Sequence, residues 1–186
     1  MGLDQNLKIV RIDINPTEIN RISTPEIGIV ADARIALQAL LSALDRHNSP
    51  RTSRKQELTN LKAEFQAAFE EKIAPQMGYL RVIREELPED GFFVDEVTQV
   101  GFASWYAFPT YHPRHFISAG YQGTLGYGYA TALGVQAAHP DKKVVAIAGD
   151  GGFLFNVQEL ATAVQYGLGV VVIVFNDNKF GNVQRQ

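Results

Sequence analysis

The chain contains no cysteine, and this absence removes several kinds of chemistry at once. Disulfide bonds, thiolate metal sites and cysteine nucleophiles are all excluded within its 186 residues. The first residues, Met1–Asn6, lack the basic and apolar regions of a secretory signal and the serine or threonine that N-myristoylation requires. No apolar run approaches the length of a membrane span. A cytoplasmic protein without a membrane partner is therefore the expectation.

The chain also lacks a strong charge of either sign. A formal net charge of −3 gives no electrostatic reason to expect nucleic acid as a partner. Three familiar motifs are missing as well: the nucleophile elbow of serine hydrolases, the Walker lysine loop, and the Gly-x-Gly-x-x-Gly turn of dinucleotide-binding sheets. Hydrophobic residues make up 46% and charged residues 20%, as in a globular chain that can bury a core.

The sequence does carry two short polar clusters, each directly after an apolar segment. Gly149-Asp150-Gly151-Gly152 follows the strand-like residues 143–148, and Asn176-Asp177-Asn178 follows residues 170–175. Residues 156–167 between them are typical of one helix that ends at a glycine. This order predicts a βαβ unit with two parallel, neighbouring strands. Both clusters should then meet at the carboxyl ends of the strands, where open α/β sheets bind ligands.

The groups in these clusters are those that hold a divalent cation and a diphosphate. Carboxylate and other side-chain oxygens suit a hard cation, and a glycine turn offers free N–H groups to an anion. Taken alone, Gly-Asp-Gly after a strand is more often a tight turn whose aspartate caps the next helix. The second cluster, at a matching strand end, favours the metal–diphosphate interpretation.

Gly149-Asp150-Gly151 together with Asn176-Asp177 resembles the signature of thiamine diphosphate-dependent enzymes, which is Gly-Asp-Gly and then, some two dozen or more residues later, Asn-Asn. The flanking sequence is similar to the acetolactate synthase and 2-oxoacid decarboxylase superfamily in particular. The similar segments are residues 123–134, 158–163 and 180–181.

The resemblance implies an α/β fold, the thiamine diphosphate-binding fold, in which a largely parallel open sheet is flanked by helices. The tail of a Rossmann-like α/β domain would precede it, because Ile12-Asp13-Ile14-Asn15-Pro16 is close to the closing strand of the family's middle domain. We expect residues 1–46 to be this tail, 47–74 a linker and connecting helix, and 75–186 the first part of the diphosphate-binding domain. We also expect the chain to be an internal piece of a longer enzyme, inactive alone.

The resemblance assigns the metal and diphosphate contacts residue by residue. Asp150 and Asp177 would bind Mg²⁺ through their carboxylates, and Lys179 through its backbone carbonyl. Asp177 is a departure, since the family has asparagine there, and its extra negative charge would face an anionic diphosphate. The turn Gly149–Gly152, with Gly151 and Gly152 foremost, would present N–H groups to the diphosphate.

Three more cofactor contacts are implied upstream. Leu125 stands where the family keeps an apolar side chain beneath the folded cofactor, although helix-start packing is the alternative explanation. The carbonyl of Gly123 and the N–H of Leu125 would bind the pyrimidine edge. Gln99 falls in a phosphate-contacting segment in which Val100 replaces the family's histidine.

The implied activity is carbon–carbon bond cleavage or formation next to the carbonyl of a 2-oxoacid, performed with thiamine diphosphate and Mg²⁺. An acetolactate synthase-like carboligase is favoured, and a decarboxylase or oxidase remains an alternative. No catalytic residue is assigned in this chain, because the family's activating glutamate lies in a separate domain. A homodimer or homotetramer is expected. A non-catalytic nucleotide- or metal-binding module is the alternative from another class.

Overall fold

The computed structural model describes residues 6–120 and 122–184. The contacts divide the chain into two units, one ending at Arg54 and the other beginning at Lys55. The division predicted from the sequence, with boundaries after residues 46 and 74, remains a prediction. The structure places the connecting helix within the second unit.

The first unit contains two short parallel strands and a helix. Strand β1 (Val10–Asp13) pairs with β2 (Ile27–Val30), and helix α1 (Ala33–His47) follows. A 3₁₀ turn at Pro16–Glu18 comes between the strands. The Asp32 side chain caps α1 by accepting hydrogen bonds from the N–H groups of its first turn.

The second unit is built around four strands that form one fully parallel sheet in the order β4-β3-β5-β6. The predicted parallel, neighbouring strands are its last pair, and the predicted α/β fold with a helix-flanked parallel sheet is confirmed. The strands are β3 (Phe92–Val94), β4 (Phe116–Ile117), β5 (Val144–Gly149) and β6 (Val171–Phe175). The helices are α2 (Lys55–Lys72), α3 (Ala74–Glu86), α4 (Gln99–Ala107), α5 (Tyr127–Ala138), α6 (Asp150–Leu154), α7 (Leu160–Tyr166) and α8 (Gly181–Gln184).

Alternate side chains of the sheet enter two different apolar clusters, because successive residues of a strand point to opposite faces. Phe93 and Ile147 pack with residues of α3 and α4, whereas Val94 and Ala146 pack with α5. Helices therefore cover both faces, and the carboxyl ends of the strands remain the place where side chains can meet a ligand. No helix among the described residues is both long and apolar enough to cross a membrane.

The region between β5 and β6 differs from its prediction. The prediction of a single helix over residues 156–167 is wrong, because a 3₁₀ turn occupies Val157–Glu159 and α7 begins only at Leu160. The predicted end is right: Gly167 closes α7 with a left-handed φ of 63°. The five-residue helix α6, directly after β5, has no counterpart in the prediction.

Candidate cofactor site

The carboxyl ends of the sheet open into a cavity of about 780 Å³. Every residue that the resemblance assigns to the cofactor or the metal lies on its wall, although the sequence places them in four separate segments. They are Gln99, Gly123, Leu125, Gly149, Asp150, Gly151, Gly152, Asp177 and Lys179. The fold thus brings the predicted residues together, while the contact assigned to each remains a prediction.

The turn after β5 presents the start of a helix to this cavity. Gly149 has the extended conformation of an N-cap residue, with φ −81° and ψ 161°, and no side chain caps α6. The first N–H groups of a helix have no partner within the helix, so those of α6 are suited to an anion. Asp150 stands in this first turn and is half-buried.

The turn after β6 is shaped by its own side chains. Asn176 Oδ1 accepts the N–H of Asn178 at 2.9 Å, and Asp177 Oδ1 accepts the N–H of Lys179 at 3.0 Å. Asn178 adopts a left-handed φ of 56°, which asparagine tolerates better than most residues. All four residues are exposed. One Asp177 oxygen therefore supports the turn.

The two turns face each other. A methyl group placed on Gly151 would overlap the ring of Phe180, and its distances to Cδ1 and Cζ of that ring would be 3.0 and 3.1 Å. Phe180 follows directly on Lys179, so its ring covers the turn after β5 from the side of β6. A side chain at position 151 would require the exposed Phe180 ring to move, and the contact places the two acidic clusters on the same cavity.

Leu125 lies on the cavity wall just before α5. It is 37% exposed, so helix-start packing does not account for the whole side chain. The next residue, Gly126, is buried and has a left-handed φ of 86°. A methyl group on Gly123 would lie 2.9 Å from Val97 Cγ2, which shows how closely this segment approaches the end of β3.

A buried carboxylate that the sequence analysis did not identify, that of Glu96, holds this segment through two hydrogen bonds. Glu96 is 3% exposed, and it accepts the N–H of Gly126 at 2.7 Å and that of Gly128 at 3.1 Å. A methyl group on Gly152 would overlap the same carboxylate. Burial raises the pKa of Glu96, while the two N–H donors lower it and the neighbouring Asp95 raises it further.

Asp95 is the second buried carboxylate at this strand end. Its Oδ2 accepts hydrogen bonds from the Trp105 indole and from Ser118 Oγ, the latter at 3.1 Å. Burial raises the pKa of Asp95, and the two donors oppose that shift. A signal for both acids was available: they directly follow an apolar strand, as Asp150 does after β5.

Gln99 is the first residue of α4 and is exposed on the cavity wall. Thr98 caps that helix by accepting the N–H of Gly101 at 2.7 Å. Val100, which stands where the family has histidine, belongs to the buried core. The segment therefore offers one amide side chain, that of Gln99, to the cavity.

The donor set fits a hard divalent cation. Asp150 and Asp177 supply carboxylate oxygens on one cavity, and the backbone at Lys179 closes the same turn. Within residues 6–120 and 122–184, no group of three histidine, cysteine or acidic side chains could hold a metal ion. Two carboxylates therefore need a backbone oxygen and water to complete a coordination shell, and Mg²⁺ usually keeps several waters.

His115 and His139 lie away from this chemistry. His115 and His139 stack on Phe92, with ring centroids 4.1 and 4.5 Å away, and His115 Nδ1 is 3.2 Å from the carbonyl oxygen of Gly91. These residues are at the amino end of β3, opposite the cavity. His139 is also the C-cap residue of α5.

Comparison with known proteins identifies relatives of this chain. Residues 96–186 match the family described as thiamine pyrophosphate enzyme, C-terminal TPP binding domain. The acetolactate synthase large subunit of Haemophilus influenzae is 35% identical over 97% of this chain and 32% of its own length. Isozyme 3 of Escherichia coli is 32% identical over 97% of the chain and 33% of its own length. The probable 2-ketoarginine decarboxylase AruI of Pseudomonas aeruginosa is 33% identical over 95% of the chain and 32% of its own length.

The chain spans about a third of the length of the relatives it matches. The matched family region begins at Glu96. It therefore contains every segment that lines the cavity except α3. Thiamine pyrophosphate is another name for thiamine diphosphate, the cofactor that the sequence motifs predict. Through residues 96–186, the chain belongs to the thiamine pyrophosphate enzyme family.

Proposed function

We propose that this chain supplies the Mg²⁺–diphosphate half-site of a thiamine diphosphate-dependent enzyme that acts on a 2-oxoacid, in the manner of an acetolactate synthase. The main support is the contact of the Phe180 ring with Gly151, because it brings the two acidic turns onto one cavity. The match to acetolactate synthase large subunits supports the reaction class.

The proposed roles follow from the donors that each segment presents. Asp150 and Asp177 hold the cation through carboxylate oxygens, with the carbonyl of Lys179 as a third protein ligand. The N–H groups at the start of α6 neutralise part of the diphosphate charge. Gly123 and Leu125 line the same cavity and would contact the organic part of the cofactor, while Gln99 would contact its phosphate groups.

The bound cofactor supplies an electron sink for carbanion chemistry next to the substrate carbonyl. The protein then has to fix the cofactor and exclude water, and the apolar wall formed by Leu125, Phe102 and Phe175 is suited to that task. We assign no proton-transfer residue in this chain. We propose a homo-oligomer for the assembled enzyme, since the family completes its site between subunits.

A 2-oxoacid decarboxylase is the second candidate, favoured by the 33% identity to AruI. The two activities give different products from pyruvate: a carboligase forms acetolactate, whereas a decarboxylase releases free acetaldehyde. Incubating the intact protein with pyruvate, thiamine diphosphate and Mg²⁺ and identifying the product separates them.

Calorimetry of thiamine diphosphate binding to the intact protein, with and without Mg²⁺, tests the half-site itself. We expect binding that requires Mg²⁺ and that Asp150→Ala weakens by about 2–5 kcal/mol, since the substitution removes a charged ligand from a partly desolvated site. Asp141→Ala is the matched control, because Asp141 is an exposed aspartate in the turn before β5, at the opposite edge of the sheet.

Equal affinity of Asp150→Ala and the unaltered protein would contradict the metal assignment. Preferential binding of ADP or NAD over thiamine diphosphate would instead support a non-catalytic nucleotide-binding module. Both outcomes are read in the same titrations by competition.

A further inference from the structure

The backbone around Gly126 is held from two sides by side chains of other segments. Its N–H donates to Glu96 Oε1 at 2.7 Å, and its carbonyl accepts a hydrogen bond from Asn156 Nδ2. Glu96 comes from the end of β3, and Asn156 from the break between α6 and the 3₁₀ turn that follows. The two successive peptide groups that meet at Gly126 are therefore each fixed by a separate hydrogen bond.

The surrounding atoms leave no space for a side chain at position 126. A methyl group on Gly126 would lie 2.7 Å from Asn156 Nδ2 and 2.9 Å from Phe155 Cβ. The left-handed φ of 86° at Gly126 adds a conformation that other residues adopt only with strain. Glu96 also accepts the N–H of Gly128 at 3.1 Å, so it holds both the turn and the first turn of α5.

The residue that depends on this geometry is Leu125. The peptide that donates to Glu96 joins Leu125 to Gly126, so fixing that peptide fixes the direction in which the Leu125 side chain leaves the backbone. The side chain itself is 37% exposed and faces the cavity, so packing does not hold it in place as it would a core leucine. Its position is set mainly by the backbone.

We propose that Glu96 and Asn156 are positioning residues that hold Leu125 against the organic part of the bound cofactor. The inference rests on the proposed function, because it takes thiamine diphosphate as the ligand of the cavity. A carboxylate in this buried position is costly unless it is hydrogen-bonded, and the N–H groups of Gly126 and Gly128 are the donors that offset that cost.

If Glu96 and Asn156 act by positioning Leu125, substituting them should no longer affect binding once the Leu125 side chain has been removed. A general structural role would persist in that background. Glu96→Gln and Asn156→Asp each change one hydrogen-bonding group and almost nothing in shape. Each is made alone and in combination with Leu125→Ala, in the intact protein with Mg²⁺. The dissociation constant of thiamine diphosphate is measured by calorimetry, and the near-ultraviolet circular dichroism of the bound cofactor reports its surroundings.

We expect each single substitution to weaken binding about tenfold, the effect of losing one hydrogen bond of this kind. We expect the double variants to bind as Leu125→Ala does alone, because a misplaced leucine and an absent one are equivalent. The circular dichroism of bound cofactor should change in the same way in Asn156→Asp and Leu125→Ala.

Gln136→Leu is the matched control. Gln136 is a buried amide in α5 that donates to the carbonyls of His139 and Lys142, at the far end of the helix from Leu125. It should lower the thermal midpoint and leave thiamine diphosphate affinity unchanged. Affinity for inorganic pyrophosphate with Mg²⁺ should also be unchanged in Asn156→Asp, because that variant leaves the turn after β5 intact.

If the losses of thiamine diphosphate affinity add in the double variants, the positioning roles are wrong, but the proposed Mg²⁺–diphosphate half-site is not affected. Failure of the unaltered protein to bind thiamine diphosphate would overturn the proposed function, and this inference with it. If Glu96→Gln does not fold, the Asn156→Asp cycle with Leu125→Ala decides the question alone.

Discussion

The turn after β5 and the turn after β6 carry matching acidic residues but are held in different ways. The turn after β5 is backed by buried groups, since Gly152 lies against the Glu96 carboxylate and leaves no space for a side chain. The turn after β6 is exposed and is shaped by hydrogen bonds among its own residues, Asn176 to Lys179. Phe180 is the contact that joins them.

This difference indicates a division of tasks within the cavity. The side proposed to receive the diphosphate is preorganised by the core of the domain, so little ordering is needed there when a ligand binds. The side that supplies the second carboxylate is determined by local turn geometry and can be changed without disturbing the core. Substitutions on the two sides should therefore differ in whether they affect folding or binding.

The largest effect is expected at Gly152. Gly152→Ala forces a methyl group into the Glu96 carboxylate, and we expect it to destabilise the protein by about 3 kcal/mol, the upper range for overpacking. Urea unfolding measures this. Gly134→Ala is the control, because nothing lies within 4 Å of a methyl group at that position of α5. It should stabilise the protein by about 0.5–1 kcal/mol. Equal effects of the two substitutions would show that the turn after β5 is not held rigidly.

A smaller effect is expected at Asn178. Asn178→Ala places a side chain that disfavours left-handed backbone at φ 56°, at a cost of about 1 kcal/mol. We expect the exposed turn of the free variant to relax out of this conformation, so the midpoint of urea unfolding changes little. Thiamine diphosphate affinity should fall about fivefold, because binding then has to re-form the turn at that cost. Asn178→Gly should bind normally, since glycine adopts this conformation freely. Loss of folding stability in Asn178→Ala would remove the distinction between the two turns.

The smallest effect is expected in the pH dependence of folding stability, and it tests the burial of Asp95 at the end of β3. Because burial raises the pKa of Asp95 above its ordinary value of 3.8, the folded protein holds that proton at pH values where the unfolded chain has released it. The stability that protonated Asp95 contributes is present below pH 3.8 and is lost as pH rises to the raised pKa. We expect Asp95→Asn to gain stability relative to the unaltered protein over this window, measured by urea unfolding at a series of pH values.

Asp90 provides a control of opposite sign for that titration. An exposed ion pair with Lys142 lowers its pKa, so its contribution is lost as pH falls rather than as it rises. Asp90→Asn should therefore become relatively more stable toward acid. A pH-independent difference between Asp95→Asn and the unaltered protein would contradict the burial argument.

The features that the sequence predicts well are those that depend on order along the chain. Apolar runs before Gly149 and Asn176, with a helical segment between them, require parallel neighbouring strands, and parallel strands bring their following turns to one edge. The resemblance to thiamine diphosphate enzymes then selects the cavity residues, including Gly123 and Leu125, from segments that order alone could not connect.

The features that it does not predict depend on contacts between distant segments. The sequence predicts Glu96 to be part of a strand, and only the packed structure shows that it accepts hydrogen bonds from two N–H groups. Asn156 reads as the start of a regular helix, but its side chain bonds to Gly126, and regular structure resumes after it. Helix α6 contains two glycines in five residues, too short and too poor in helix formers for any periodic signal.

The bond between Trp105 and Asp95 has a practical consequence. The chain holds one tryptophan, and its indole N–H donates to one of the two buried acids at the end of β3. Indole emission responds to a charge at close range, so the intrinsic fluorescence of the protein is a built-in indicator of that carboxylate. It allows events at the carboxyl end of β3 to be followed without attaching a dye.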